Sequence, residues 1–286
     1  MNVVIHDTTA KYLGDFIKHP HHALLVIGPD GIGKTTLAQI IAGQLLGTHQ
    51  LEHYPYYLFL QPAETGTVSI ETVRTMQKFL QLKTTGKGTI RRIICLEHAD
   101  GLTQEAQNAL LKLLEEPPAD TVIILTAQSK RRLLPTILSR VHMLQVHAPL
   151  QPNLETFFAQ SGTPDEIRKA YFLSGGLPGL MASILTENQD HPLLAQVTTA
   201  KELLQKSAFE RLVMVDTLAK QKSGLLQLLE ALARIAASGL NQASASQDHK
   251  ALKRWHGIQK EVFAAQEALS KSANPKLLLT HMFLHL

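Results

Sequence analysis

Cysteine is almost absent from this chain of 286 residues, in which Cys95 is the one example. A single thiol excludes an internal disulfide, and it also excludes a zinc site built from several cysteines. Aromatic residues are sparse too, at 5% of the chain. No basic stretch is interleaved with aromatic side chains, which are the platforms that stack on single-stranded nucleic acid.

Long apolar runs are also missing. No run approaches the ~20 residues that a membrane helix needs, so we expect no contact with a membrane. Residues 1–18 contain Asp7 and Asp15 and lack an apolar core followed by small residues, so they do not resemble a secretory signal. We therefore expect a cytoplasmic protein. Its net charge of +4 permits contact with nucleic acid but does not demand it.

Short apolar runs alternate with helix-like stretches through the first half of the chain. The predicted strands are residues 23–27, 56–60, 93–96, 122–126 and 143–146. Such alternation is typical of a doubly wound parallel sheet, and the continuous apolar character of the runs indicates strands covered on both faces. The first half is therefore predicted to be an α/β domain.

The pattern changes near Pro149 and Pro152, and the rest of the chain is predicted to be helical. The long helices are predicted at residues 200–219, 225–237 and 250–270. The polar segment 242–248, which is rich in small residues, is predicted to be an exposed loop between two of them.

A glycine-rich segment follows the first predicted strand. Residues 28–35 match the pattern G-x-x-x-x-G-K-[ST], in which backbone N–H groups surround phosphates, the lysine reaches the outer ones and the last hydroxyl binds Mg²⁺. A purely structural glycine-rich turn is the less favoured alternative. The predicted nucleotide-binding residues are Gly28, Gly31, Gly33, Lys34, Thr35 and Thr36.

The predicted strand 93–96 is followed by Glu97 and His98. An active P-loop ATPase presents a metal-binding Asp and then a water-orienting Glu at this place. Glu97 is predicted to bind Mg²⁺ together with Thr35, whereas His98 is favoured as a surface histidine over a substitute base. The acidic site is therefore interpreted as degenerate.

Residues 103–118 are predicted to form a helix that begins at the N-cap Thr103 and stops at a double proline. Its last turn contains Glu115 and Glu116, which the helix dipole disfavours by a few tenths of a kcal/mol each. This position indicates either a functional constraint or a solvated surface pair.

Four segments resemble the clamp-loader branch of AAA+ ATPases, most closely its delta-prime group. They are residues 103–118, 133–140, 69–74 and 273–279. The resemblance covers nearly the whole chain. It implies an α/β fold with three domains: an AAA+ P-loop nucleotide-binding domain with a doubly wound parallel sheet at 1–148, a small helical lid domain at 149–192, and a C-terminal helical collar for oligomerisation at 193–286.

The resemblance assigns to Arg140 the role of an arginine finger that reaches the γ-phosphate held by an adjacent subunit. A guanidinium suits this role because it is planar, permanently charged and able to contact phosphate oxygens bidentately. An arginine that neutralises the carbonyls at a helix end is the alternative, and the surrounding motif favours the finger.

Three departures from the family's motor subunits concern groups that stabilise charge during phosphoryl transfer. Glu97 and His98 replace the Asp-Glu pair, the polar sensor is reduced to residues 126–128, and Gly179 stands where motor subunits carry a lid arginine. The resemblance therefore implies a subunit that binds ATP or ADP with Mg²⁺ and hydrolyses it weakly or not at all.

Clamp-loader relatives often carry a four-cysteine zinc module after the P-loop helix. The corresponding residues 47–68 contain no cysteine, and His49 and His53 supply only two ligands. We predict no structural zinc.

The leading hypothesis is a non-motor, delta-prime-like subunit of the sliding-clamp loader in DNA replication. Its partners would be the other loader subunits, both motor and delta-type, with the sliding clamp and primer-template DNA contacted through the assembled complex. One alternative is an active ATPase motor of the same loader. Another is a direct DNA-binding module that uses the basic residues 130–132 and 253–254.

Overall fold

The computed structural model describes residues 3–63, 66–85, 88–186, 192–220, 222–271 and 273–286. The chain divides into two compact units, Met1–Pro149 and Leu150–Leu286. The predicted boundary between lid and collar, at 192/193, directly follows residues 187–191, which lie outside the described residues. The three-domain division stays a prediction.

The first unit contains a parallel sheet of five strands: β1 (Ala23–Ile27), β2 (Tyr57–Leu60), β3 (Arg92–Leu96), β4 (Thr121–Ala127) and β5 (His142–Gln145). Their order in the sheet is β2-β3-β4-β1-β5, and every pair is parallel. All residues of β1, β3 and β4 are buried, as expected for strands covered on both faces. The predicted sheet is confirmed, with strand ends that differ from the prediction by at most one residue.

Helices cover this sheet: α1 (Asp7–Lys18), α2 (Lys34–Leu46), α3 (Ile70–Leu80), α4 (Gln104–Glu115) and α5 (Pro135–Leu138). Short 3-10 helices lie at Leu51–His53, Ala99–Gly101 and Lys130–Arg132. The core forms where Met76 of α3 and Leu110 of α4 pack with Ile94 and other strand residues. Each fully buried aliphatic side chain contributes roughly 1.5–3 kcal/mol to this packing.

Helix α4 begins and ends where its sequence predicts. The Thr103 hydroxyl accepts a hydrogen bond from the Ala106 N–H at 3.2 Å, which satisfies one of the unpaired donors of the first turn. Glu116 is the C-cap, directly before the two prolines that cannot continue the helix.

The described residues of the second unit form helices and no strand. The helices are α6 (Gln151–Phe157), α7 (Pro164–Ser174), α8 (Pro178–Leu185), α9 (Pro192–Gln205), α10 (Ala208–Val213), α11 (Val215–Lys220), α12 (Lys222–Ala245), α13 (His249–Ser270) and α14 (Pro275–His285). Their core includes Leu229 and Leu232 of α12, Val262 of α13 and Phe283 of α14. Among the described residues, no helix is both long and apolar enough to cross a membrane.

Two predictions about these helices are wrong. The predicted helix at 200–219 is divided, because Ser207 caps a new helix: its hydroxyl accepts from the Glu210 N–H at 3.3 Å, and the Glu210 carboxylate accepts from the Ser207 N–H at 2.7 Å. The predicted loop at 242–248 is mostly helical, because α12 continues to Ala245 and Asp248 already caps α13.

Candidate nucleotide-binding site

The glycine-rich loop connects β1 to α2 in a conformation that depends on glycine. Gly31 and Gly33 have φ angles of 80° and 96°, in the left-handed region that L side chains rarely adopt. A Cβ added at Gly28 would lie 3.0 Å from the Ile32 side chain, so glycine also allows the loop to close on itself. A Cβ at Gly33 would meet no atom within 4 Å, so the loop is open to a ligand there.

Helix α2 begins at Lys34, and its N-cap Gly33 provides no side-chain hydrogen bond. The first N–H groups of a helix have no partner within the helix, and they carry its positive dipole end. Thr35 and Thr36 follow in this first turn. The end of β1, the open loop and this helix terminus therefore form an arrangement that fits phosphate groups.

Lys34 is held inside this loop. Its side chain is 6% exposed, and Nζ donates hydrogen bonds to the Pro29 carbonyl at 3.1 Å and to Asp30 Oδ1 at 3.0 Å. An ammonium group buried to this extent requires such partners. The lysine is thus already turned toward the space that the loop encloses.

Asp30 connects the loop to the strand β4. Its second oxygen, Oδ2, accepts a hydrogen bond from the Gln128 side-chain amide, and Gln128 follows β4. The Gln128 backbone N–H donates to Asp100 Oδ2 at 3.2 Å, which fixes the start of the segment that follows β4. Sequence analysis missed Asp30, although an acidic side chain inside a phosphate loop is itself a signal, because it has the same charge as the ligand.

The structure brings together the two predicted Mg²⁺ ligands. The Thr35 hydroxyl donates a hydrogen bond to Glu97 Oε1, and the Gln61 amide donates to Glu97 Oε2 at 3.2 Å. Hydroxyl and carboxylate oxygens are ligands that Mg²⁺ accepts, so this pair fits the ion. Gln61, which follows β2, was not predicted.

His98 shapes a turn next to Glu97. It has a left-handed φ of 50° and is the N-cap of the 3-10 helix Ala99–Gly101. Its backbone N–H donates to the Thr126 hydroxyl at 3.2 Å, whereas its imidazole makes no hydrogen bond within the described part of the chain. Thr126 therefore holds this turn, and the imidazole makes no contact that would identify it as a base.

Cys95 lies in β3, two residues before Glu97, and its thiol is buried. Burial raises the pKa of this thiol to about 12. A thiol with so high a pKa remains protonated at neutral pH and is a poor nucleophile. Cys95 is therefore part of the packed strand and not a reactive group.

Arg140 follows the short helix α5 and is bound by its own unit. Its guanidinium donates from Nη1 to the Thr136 carbonyl at 2.9 Å and to the Ser139 hydroxyl at 3.2 Å, and Nη2 pairs with Glu115 at 2.9 Å. The side chain is still 36% exposed. The carbonyl contact agrees with the helix-end alternative, and the exposure agrees with a group that another protein reaches.

Glu115 therefore has a partner that the sequence did not identify. Its unfavourable position at the C-terminal end of α4 is offset by the ion pair with Arg140. Glu116 is also exposed but makes no side-chain contact of this kind within the described ranges. The two adjacent acids thus have different surroundings.

Gln107 links α4 to the segment that carries Arg140. Its amide, 4% exposed, donates to the Leu102 carbonyl at 3.2 Å and to the Arg132 carbonyl at 3.0 Å. Its oxygen accepts from the Leu134 N–H at 2.8 Å, one residue before α5. Sequence analysis missed this residue because it looks like an ordinary polar position of an amphipathic helix.

Histidines also occur away from this site. His49 and His53 line one cavity of about 880 Å³ beside α2 and β2. In the second unit, Glu261, His281 and His285 each have a ligand atom within 4.8 Å of the others. The absence of structural zinc stays a prediction.

Gly179, predicted to replace a lid arginine, lies in the first turn of α8. Its significance for hydrolysis stays a prediction.

The match to a known family lies within the unit that contains the phosphate-binding loop. Residues 16–149 match the family described as DNA polymerase III, delta subunit. The chain is 35% identical over 193 residues to DNA polymerase III subunit delta' of Pseudomonas aeruginosa, across 58% of this chain and 56% of that protein. It is 30% identical over 178 residues to the Escherichia coli protein of the same name, across 56% of this chain and 53% of that one.

These matches span little more than half the length of the two relatives. A solved structure of a DNA polymerase III gamma subunit-related protein from Thermotoga maritima covers 97% of this chain and 98% of its own, with a TM-score of 0.51 and 18% identity. A likeness at that identity concerns the fold alone. The predicted α/β fold with its parallel sheet is confirmed.

Proposed function

We propose, from the match of residues 16–149 to the family described as DNA polymerase III, delta subunit, that this chain is a non-motor, delta-prime-like subunit of a sliding-clamp loader in DNA replication. It binds ATP or ADP with Mg²⁺, hydrolyses it weakly or not at all, and supplies Arg140 to the nucleotide site of a neighbouring subunit. The setting of Arg140 carries this proposal: its side chain is partly exposed, and its contacts are with Glu115, Thr136 and Ser139.

The loop between β1 and α2 supports nucleotide binding. Gly31 and Gly33 shape the backbone around the phosphates, Lys34 supplies the cation, and Thr35 with Glu97 supplies oxygen ligands for Mg²⁺. The bound ion would neutralise part of the phosphate charge. These residues hold a nucleotide without the acidic base that activates water.

The lack of that base supports weak hydrolysis. The place of the water-orienting glutamate is taken by His98, whose backbone serves the turn. General base catalysis contributes about 10²–10⁴ to a rate, so its loss leaves a site that binds far better than it turns over. The charge that Arg140 supplies to a neighbour would serve only the neighbour's chemistry.

Exposed apolar side chains on the second unit support an assembly role. Phe209 and Val213 of α10 and Leu277 and Leu284 of α14 are all more than half exposed. Large apolar side chains grouped on neighbouring helices are typical of a surface that a partner covers. The proposed partners are the motor and delta-type subunits, with the sliding clamp and primer-template DNA reached through the assembled ring.

Rings reconstituted from this chain and its cognate subunits test the role of Arg140. Arginine fingers contribute about 10³–10⁵ to kcat, so Arg140→Ala should remove the hydrolysis at the neighbouring site by about that factor. Arg140→Lys keeps the charge but loses the planar fork, and it should also be defective. An unchanged rate with Arg140→Ala would remove the finger role.

The isolated chain distinguishes the alternatives. A turnover rate near that of ordinary P-loop ATPases, abolished by Lys34→Ala, would make the chain a motor. Tight DNA binding by the isolated chain with a steep salt dependence would instead favour the DNA-binding module.

A further inference from the structure

We propose that Asp30 is an internal counter-ion that makes the loop favour a nucleoside diphosphate over a triphosphate. The inference rests on the proposed nucleotide binding at this loop. It concerns which nucleotide the site retains, a property that depends on one acidic side chain inside the phosphate-binding segment.

The two oxygens of Asp30 engage two groups that face the loop. Oδ1 accepts from Lys34 Nζ at 3.0 Å, and Oδ2 accepts from the Gln128 amide. In a P-loop, the lysine at the position of Lys34 contacts the β- and γ-phosphates. Gln128 lies in the polar segment after the fourth strand. An anion already present in the protein thus occupies the donors that an outer phosphate would use.

The contact is sheltered from solvent. The Lys34 side chain is 6% exposed and that of Asp30 is 26% exposed. Charges in such surroundings interact more strongly than charges in bulk water, because there is less solvent to screen them. The ion pair is therefore a competitor that a ligand must displace, and not a loose surface contact.

A diphosphate and a triphosphate meet this competitor differently. Backbone N–H groups of the loop and of α2 hold the inner phosphates, and Asp30 leaves these donors free. The terminal phosphate of a triphosphate must draw Lys34 away from Asp30 to bind it. It also brings more negative charge close to the Asp30 carboxylate, which has then lost its counter-ion. The diphosphate avoids most of this repulsion.

The geometry also restricts how Asp30 could withdraw. Gln128 holds Oδ2, and the Gln128 backbone is itself bound to Asp100 at 3.2 Å. Rotation of the Asp30 side chain away from the loop would break both of its contacts. The carboxylate therefore stays close to the ligand unless both partners are replaced.

Affinities of ADP and ATP for the full chain, measured calorimetrically with Mg²⁺, test the proposal. The wild-type chain should bind ADP more tightly than ATP. Asp30→Asn keeps the shape and removes the charge, and it should raise ATP affinity by at least about fivefold, the effect of one like charge about 4 Å away at the dielectric constant of water, which is the lower limit for a sheltered site. ADP affinity should change by less than about twofold.

Asp100→Asn is the matched control, because it removes a nearby charge that contacts Gln128 but not Lys34. It should change both affinities by the same factor. Circular dichroism and thermal unfolding would establish that each variant is folded.

The outcomes separate the two proposals. Equal gains for ADP and ATP in Asp30→Asn, or no gain for ATP, would overturn the role of Asp30 while leaving nucleotide binding intact, provided that Lys34→Ala weakens the binding of both nucleotides. If neither nucleotide bound to the wild-type chain or to Asp30→Asn, both proposals would be overturned.

Discussion

Lys34 and Arg140 lie in the same unit, and both are cations that the proposed function brings to a phosphate, but their surroundings differ. Lys34 is 6% exposed and bound by two groups of its own loop, whereas Arg140 is 36% exposed at the end of a four-residue helix. Lys34 pairs with Asp30 of its own loop, whereas Arg140 pairs with Glu115 of another helix. Under the proposed function, the cation that serves its own site is therefore the buried one, and the cation offered to another protein is the more exposed one.

The difference also concerns what holds each cation. Lys34 is part of a loop whose backbone is fixed by two left-handed glycines. Arg140 depends on α4, through Glu115 directly and through Gln107, which fixes the segment before α5. Changes in α4 should therefore affect the ring but not nucleotide binding by the chain itself.

Among variants of the isolated chain, the largest effect is expected for Lys34→Ala. Hydrogen bonds to charged groups contribute about 1.5–3 kcal/mol, so affinity for ADP and ATP should fall by roughly 10–100-fold. Calorimetric titration would measure this change. Arg140→Ala, tested alongside, should leave both affinities unchanged, and a comparable loss in that variant would contradict the distinction between the two cations.

Gln107→Ala should have the next largest effect. It leaves the Leu134 N–H and the carbonyls of Leu102 and Arg132 without their partner, and unsatisfied buried groups cost about 1–3 kcal/mol each. We expect the free energy of unfolding to fall by about 1–3 kcal/mol in urea denaturation, the cost of the buried Leu102 contact, because water can reach the partly buried Arg132 and Leu134 contacts. Lys112→Ala, an exposed substitution on the same helix, should cost far less, and equal costs would show that the Gln107 contacts do not fix this segment.

Glu115→Ala should have the smallest effect, and it tests whether α4 acts on the ring through Arg140. An exposed ion pair contributes about 0.2–1 kcal/mol, so releasing Arg140 should lower the kcat of the ring by about 1.4-fold to fivefold, with little change in KM. Glu115→Gln retains a hydrogen-bond acceptor and should recover part of the rate.

Glu116→Ala is the control, because it removes the same charge without touching Arg140. Steady-state hydrolysis by the ring would measure all three variants. In rings that already carry Arg140→Ala, Glu115→Ala should have no further effect, and an additive loss would mean that Glu115 does not act through Arg140.

Local patterns accounted for the sheet and for most of the candidate site. The five strands are continuous apolar runs, and the phosphate loop has its characteristic glycines, so both are visible in short stretches of sequence. The contact of Thr35 with Glu97 was also accessible, because parallel strands end at the same edge of the sheet. The helix α4 carried its own start and stop signals in Thr103 and Pro117.

The remaining features depend on partners that are distant in the chain. Asp30 and Gln128 are 98 positions apart, and Gln107 contacts Leu134 across 27 positions. No periodicity predicts such pairs. The division of the predicted helix at 200–219 was readable, since Ser207 and Glu210 form a capping box, but the helical periodicity around them dominated the prediction.

The most direct test compares hydrolysis by two reconstituted rings, one with Arg140→Ala and one with Lys34→Ala in this chain. We expect the first ring to lose the hydrolysis of the neighbouring site and the second to retain nearly all of it, because Lys34 serves a site that contributes little turnover. If the ring with Lys34→Ala were as impaired as the ring with Arg140→Ala, the roles proposed for the two residues would be wrong.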